Sequence, residues 1–352
     1  MAHSVIDLRS DTLSMPTEEM LRSIQTAELG DDSRDGDPTV LELESLAAGM
    51  LGKEAALLTV SGTMSNLVAM RTHADPGGAA AVEQSAHLYG MEFGGIAAAC
   101  GLLVLPVPGS MGAMLPEQLE VAVRRGGAGF PARGLVCLED THNAAGGTVI
   151  PPEHLDRCCE IAHSFGLPVH LDGARLFNAA VALKIEAREL TRSVDSVSVC
   201  LSKGLSAPVG SLLAGSAPFV ERARKVRRAF GGTMRQAGII AAPGLLALRT
   251  MVGRLAEDHA NARLLGLGLA GIEGLDVNLA TVQTNIVNLD VRRLGIDAAV
   301  FARHLDPRRV RGLPGMGTVV RFVTYRGISR DDVVRATETI REVVGERPWA
   351  GR

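Results

Sequence analysis

Apolar and polar positions alternate in blocks along this chain. Runs rich in aliphatic residues at 55–60, 102–107, 134–139, 167–171, 195–201 and 210–215 are of strand length, with apolar residues in both phases, the pattern of strands buried in a parallel sheet. Between them, 62–73 and 152–165 repeat their apolar residues at helical spacing. Ser61 and Gly62 open the first of these, and Pro152 and Gly166 suit the first turn and the end of the second. Strand and helix in alternation predict an α/β fold whose large domain has a mainly parallel central sheet covered on both faces.

The pattern changes after position 239. A helix-like stretch over 239–271 is followed by strand-like 277–279, 284–291 and 318–324 around a helix near 297–305, which predicts a small α+β C-terminal domain. The chain therefore divides into an N-terminal arm over 1–38, a large domain over 39–253 and a small domain over 254–352, a division that suits 352 residues. The arm is rich in charge and glycine, with a helix near 17–26. It is expected to run over the surface, against the small domain or a neighbouring subunit.

Composition narrows the function classes. Hydrophobic residues at 46% and charged residues at 21% describe a soluble globular protein, and a net charge of −3 gives no reason to expect nucleic acid or membrane as a partner. The basic run ERARKVRRAF at 221–230 reads as a solvated helix face. The stretch 93–116 carries no charge, but its Gly and Pro residues divide it into a helix-to-strand unit instead of a membrane span. The opening MAHSVIDLRSDT has no secretory pattern, and five cysteines without metal-ligand spacing read as reduced, buried thiols of a cytoplasmic protein.

Candidate chemistry gathers at predicted strand ends. Asp172 closes LPVHLD and Lys203 follows VSVCLS, 31 residues later, which leaves room for one crossover helix and a second strand. Both then lie at the carboxyl edge of the sheet, where open parallel sheets bind ligands. An amine and a carboxylate so placed suit pyridoxal 5'-phosphate: the lysine can hold the aldehyde as a Schiff base, and the carboxylate keeps the pyridine nitrogen protonated. Gly62 and Thr63, behind Ser61 at a helix start, offer backbone N–H groups to a phosphate. His87 in AHLYGMEF is either a ring-stacking residue or a loop histidine, and His142 in LEDTHN is a candidate acid or base. Neither has metal-ligand spacing, so no catalytic metal is expected. Arg175, Arg235 and Arg321 sit among small or apolar residues, where a guanidinium meets either a bound carboxylate or phosphate or an internal acid. GLGLAG at 266–271 matches a dinucleotide fingerprint, but a helix-periodic run precedes it where a strand is required.

Taken together, IDLRSDT, SGTMSNL, AHLYGMEFGG, LEDTHNAAGG, HLDGARLFNAAVA, CLSKGLSAPVGSLLAGS, GGTMRQAGIIAA and RFVTY resemble the low-specificity L-threonine aldolases, in the β-eliminating lyase branch of fold-type-I, aminotransferase-like pyridoxal-phosphate enzymes. The resemblance spans nearly the whole chain. It implies a role for each matching position: Lys203 as the Schiff-base lysine, Asp172 on the pyridine nitrogen, His87 stacked on the ring, and Gly62 and Thr63 at the phosphate with Arg235 of an adjacent subunit. Ser10, Arg175 and Arg321 would bind the substrate carboxylate, Arg175 also lying near the cofactor's phenolic oxygen, and His142 would lie by the substrate hydroxyl. The implied reaction is retro-aldol cleavage of L-threonine, L-allo-threonine and related β-hydroxy-α-amino acids to glycine and an aldehyde, in a homotetramer whose dimers share active sites. Alternatives on the same scaffold are β-elimination, transfer of the glycine unit to another aldehyde, or cofactor binding without turnover. Three departures from the family pattern are Arg34 with Asp35, Met91 and Tyr325; Arg34 and Met91 fall on expected substrate-side loops and leave the preferred side chain and the β-carbon stereochemistry open.

Overall fold

The computed structural model describes residues 5–92, 94–124 and 134–349. The first four residues of the expected arm, Phe93 at the head of the uncharged stretch, and the last three residues of the small domain lie outside them.

Seven strands form the central sheet: β1 Ala55–Thr59, β2 Ala79–Glu83, β3 Leu103–Val107, β4 Leu135–Glu139, β5 Val169–Asp172, β6 Ser196–Cys200 and β7 Ser211–Gly215, in the order β1-β7-β6-β5-β4-β2-β3. Only β7 runs against its neighbours. Helices flank it: α1 Glu18–Thr26, α2 Pro38–Met50, α3 Gly62–His73, α4 Pro152–Ser164 and α5 Ala217–Ala229. Six strands follow the predicted runs to within two residues. The seventh, β2, was not among the runs read from pattern, because its AAAVE sequence is alanine-rich and has little intrinsic strand preference; all five residues are buried, and burial between β3 and β4 makes the strand.

The small domain is a four-stranded antiparallel sheet, β8 Asp276–Val277, β9 Ile286–Asp290, β10 Leu313–Pro314 and β11 Val319–Val323 in the order β8-β9-β11-β10, backed by α6 Leu255–Ala270, α7 Ala298–Leu305 and α8 Arg330–Glu346. The long helix expected over 239–271 is broken. Gly238–Leu246 widens into a π-helical turn at Ala247–Met251, and α6 leaves at 67° to it. The GLGLAG segment lies in α6 and its glycines seat neighbours, Gly268 against Thr337 at a distance where a Cβ would clash. Among the described residues no single helix is long and apolar enough to cross a membrane.

Two expectations need correction. The segment 6–11 lies against the small domain, as one of the two expected placements had it, but inside it and not over its surface: Ile6 and Asp7 pair in parallel with Val310 and Arg311, the Val323 N–H donates to the Leu8 carbonyl at 2.7 Å, and Leu8 and Asp11 are fully buried. Nor is the basic run of α5 only a solvated face, because Arg227 is buried, pairs with buried Asp32 at 2.7 Å, and donates to the Leu58 carbonyl. All five cysteines are free and buried, and burial pushes the Cys100 thiol up to about 11 and the Cys158 and Cys159 thiols to about 12.

Candidate active site

Adjacent strands β2, β4 and β5 each end on a carboxylate: Glu83, Glu139 and Asp172. The next strand, β6, ends on Cys200 and turns through Lys203. That turn is tight, with the Ala207 N–H on the Leu201 carbonyl at 3.0 Å, the Ser206 N–H on the Lys203 carbonyl at 2.8 Å, and Ser206 at φ +64°. It is held by the arm, since the Ser14 and Ser206 hydroxyls meet at 2.5 Å. The Lys203 amine has no hydrogen bond or ion pair among the described residues, and the buried Cys200 thiol feels the charges of both Lys203 and Asp172.

Asp172 is held from two sides. Its Oδ1 accepts from the Ala174 N–H at 3.1 Å and its Oδ2 from Asn66 Nδ2 at 3.0 Å. Asn66, on the inner face of α3, also donates to Glu92 Oε1 at 3.1 Å, and Glu92 Oε1 in turn meets His87 Nδ1 at 3.1 Å. This contact raises the His87 pKa against the opposing effect of burial. Glu139 fixes the same loop, accepting from the His87 N–H at 2.5 Å and the Asn143 N–H at 2.7 Å. His87, Glu92 and Asp172 present one atom each within 4.8 Å of one another. Lys203 follows the end of β6, the strand next to the one that Asp172 closes.

The start of α3 faces the same edge. Ser61 caps it, accepting from the Met64 N–H at 3.2 Å, which leaves the Gly62 and Thr63 amides without an internal acceptor. A Cβ on Gly62 would lie 2.7 Å from Cys200 Sγ, so only glycine lets the helix end approach β6 this closely. Free amides and the helix dipole together make an anion seat.

The three arginines part company. Arg175 is neutralised by the fully buried Asp11, with Nε to Oδ2 at 2.6 Å and Nη2 to Oδ1 at 2.7 Å; Arg175 in turn holds the Asp11 carboxyl down to about 2 against burial. Arg321, on β11, forms no ion pair among the described residues. Its Nη1 donates to Asn143 Oδ1 at 2.8 Å and its Nη2 to the Arg9 carbonyl at 3.3 Å, beside Ser10, while its buried Nε has no partner. Arg175 also reaches Asn143 Oδ1, at 3.2 Å, so the two guanidinia converge on one amide. Arg235 lies exposed, its guanidinium donating to the carbonyl of Met234 and its charge felt by Asp31.

His142 reaches this edge but is fully enclosed, its ring packed so closely on Gly112 that a Cβ there would overlap it. Its Nε2 meets Glu83 Oε2 at 3.1 Å and its Nδ1 receives the Ala145 N–H at 3.2 Å. Burial disfavours the imidazolium and Glu83 favours it, with the balance above the ordinary value. The Ala145 N–H nevertheless demands a bare Nδ1, so the state this geometry holds is the neutral ring with its hydrogen on Nε2, and charging it requires the 143–145 loop to give way. Asn66, Glu92, Asp11, Asn143 and Glu83 were not singled out from sequence, although four of them lie inside the quoted motifs; each acquires a role only through a partner far along the chain.

The β-eliminating lyase profile matches residues 7–292. The chain belongs to the β-eliminating lyase family. Among this lyase's relatives, low-specificity L-threonine aldolase 1 of Arabidopsis thaliana is 39% identical over 333 residues, covering 93% of each chain, and the low specificity L-threonine aldolase of Escherichia coli K12 is 39% identical over 331 residues, covering 94% of this chain and 96% of that one. In fold, the lyase is similar to Leishmania major threonine aldolase, with a TM-score of 0.80 at 18% identity over 96% of this chain and 99% of that one. It is also similar to Sphingomonas wittichii serine palmitoyltransferase, with a TM-score of 0.78 at 17% identity, covering 97% and 88%. Of the lyase's three departures, Arg34 and Met91 are exposed, whereas the Tyr325 hydroxyl is spent on the Asp7 carbonyl at 2.9 Å, tying down the arm.

Proposed function

We propose that this lyase uses pyridoxal 5'-phosphate to cleave L-threonine, L-allo-threonine and related β-hydroxy-α-amino acids into glycine and an aldehyde. The observation that carries the reading is the placement, at the ends of neighbouring strands, of a lysine amine without a partner among the described residues and a carboxylate oriented by Asn66, with the Cys200 thiol feeling the charge of both. Two buried polar atoms without partners, Glu92 Oε2 and Arg321 Nε, mark places where a bound group would complete the hydrogen bonding, so the residues fit the cofactor and its amino-acid substrate. Gly62 and Thr63 would hold the phosphate, Asp172 the pyridine nitrogen, and His87 the ring face. When bound, the cofactor supplies an electron sink for the carbon left behind when the Cα–Cβ bond breaks.

The chain's own residues account for orientation and proton handling. Arg321 carries the positive charge the substrate carboxylate requires, because Asp11 already neutralises Arg175. Arg175 instead positions Asn143, which in turn holds Arg321. A substrate hydroxyl handed to His142 must meet Nδ1 in place of the Ala145 N–H, since Nε2 is committed to Glu83, so the 143–145 loop has to move first. Glu83 makes His142 a better base, by stabilising the charge that forms on it.

We further infer a homo-oligomer with shared sites, in which exposed Arg235 serves the phosphate seat of a neighbour. The activity is tested by incubating the purified lyase with each β-hydroxy-α-amino acid and quantifying glycine and aldehyde. Equimolar glycine and acetaldehyde from threonine are expected, with Lys203→Ala inactive. Ammonia and a keto acid in their place would mark β-elimination and overturn the reading.

A further inference from the structure

Behind Asp172 a file of hydrogen bonds runs through the sheet along α3, away from the site. Asn66 Oδ1 accepts from His170 Nε2 at 3.1 Å; His170 Nδ1 meets the Ser196 hydroxyl at 2.9 Å; and that hydroxyl meets His73 Nε2 at 2.7 Å. Ser196, His170, Asn66 and Asp172 are all buried, on β6, β5 and α3. His73, at the far end of α3, stacks on Phe219 with centroids 4.4 Å apart and lines a cavity of about 430 Å³ at the amino ends of the parallel strands, together with Lys53, Asp195 and Arg222. His73, Ser196 and His170 have no part in the cleavage chemistry proposed above.

The direction of every bond in the file is determined from one end. Carboxylates cannot donate, so the Asn66 group facing Asp172 and Glu92 is the amide NH2, and its Oδ1 is an acceptor. His170 must then carry its hydrogen on Nε2. As a neutral ring it accepts at Nδ1, so Ser196 donates to it, and the one remaining role for that oxygen is to accept from His73 Nε2–H. Neutral rings are what this burial enforces: it holds His170 down to about 4 and His73 to about 3, with Arg222 opposing and Asp195 favouring the charged form of His73.

We propose that His73, Ser196 and His170 form a one-way relay of donors that locks the Asn66 amide toward Asp172, making both histidines positioning residues for the acid that meets the cofactor's pyridine nitrogen. Bonds aligned head to tail polarise one another, so each donation strengthens the next and the sum arrives at Asp172 as a stronger Asn66 N–H donor. Without His170, Oδ1 keeps only Ser198, which donates at 2.7 Å, so the amide loses one of the two donors that hold its oxygen turned from the carboxylates, while Nδ2 still faces Asp172 and Glu92. The proposal rests on the reading of Asp172 given above.

The test has one arm without cofactor and one with it. In protein stripped of cofactor, nitrogen-15 NMR of labelled histidine at neutral pH is expected to show His170 and His73 with hydrogen on Nε2 and a bare Nδ1. Hydrogen on Nδ1 of His170 would overturn the relay whatever Asp172 does. In the second arm, titration of pyridoxal phosphate followed by its visible band is expected to give a dissociation constant about tenfold weaker in His170→Leu. Turnover is expected to fall at unchanged KM. His170→Gln, which keeps a donor where Nε2 lies, is expected to stay within about twofold of the wild type on the same reasoning. A harmless His170→Leu, or a Gln variant as impaired as Leu, would overturn the positioning role. Should the Leu variant not fold, Ser196→Ala is expected to weaken binding about threefold, and an unchanged constant would count against the relay. The expected tautomers together with wild-type cofactor binding and turnover in Asp172→Asn would overturn the proposal through the pyridine-nitrogen reading instead.

Discussion

Arg175 and Arg321 differ in what they can offer a ligand because Asp11 stands beside only one of them. Removing Arg321 takes away the charge with no internal acid, so Arg321→Ala is expected to raise KM for threonine about thirtyfold, corresponding to about 2 kcal/mol for a charge-assisted contact, with the fold intact by circular dichroism. Removing Arg175 strands Asp11 in the interior, and the expected loss is one of stability, about 3–5 kcal/mol in denaturant. The same pair sets an acid limit. Asp11 titrates at about 2 in the folded lyase against an ordinary 3.8, so its stabilisation is complete above the ordinary value and is lost as pH falls from there toward about 2. Wild-type protein is therefore expected to lose about 2 kcal/mol more than Asp11→Asn between pH 4 and pH 2, measured by urea unfolding at each pH.

Strand ends and one helix start carry the proposed site, and this explains what could be read from sequence. Lys203 and Asp172 were legible because each closes an apolar run, and Gly62 and Thr63 because a capping serine precedes them. Glu83 was not, since the alanine-rich β2 it ends has no strand signature of its own. Asp11 escaped notice because the arm that carries it has the composition of a surface segment, although Leu8 and Asp11 are fully buried. His142 could be placed past a strand end from its sequence, but its enclosure by Gly112, Glu83 and the Ala145 N–H depends on segments far along the chain from one another. The loop at 31–36 shows the same dependence on a distant partner, for Asp32 reaches across to Arg227 of α5. Asp32→Ala leaves that guanidinium buried alone and is expected to cost about 3–5 kcal/mol, whereas pairing Asp32→Leu with Arg227→Met is expected to stay near the wild type, as denaturant midpoints will show.

At the scale of the whole molecule the open question is whether one chain suffices. The proposed phosphate seat of a single chain offers backbone amides and a helix dipole from α3, while Arg235, which the family resemblance assigns to the phosphate, is exposed and turned to its own backbone. If two chains exchange Arg235, a site lacking Lys203 and a site lacking Arg235 can be repaired by each other. Lys203→Ala is expected to be inactive alone and Arg235→Ala strongly impaired in cofactor binding. In a dimer of one of each, one site carries both lesions and the other carries neither. Unfolding and refolding an equal mixture places half the chains in such pairs, so about a quarter of all sites become intact and activity is expected to rise to about a quarter of wild type. A refolded mixture no more active than the mean of its two parents would assign Arg235 to its own chain or to no site at all, and the sharing of sites between subunits would fall with it.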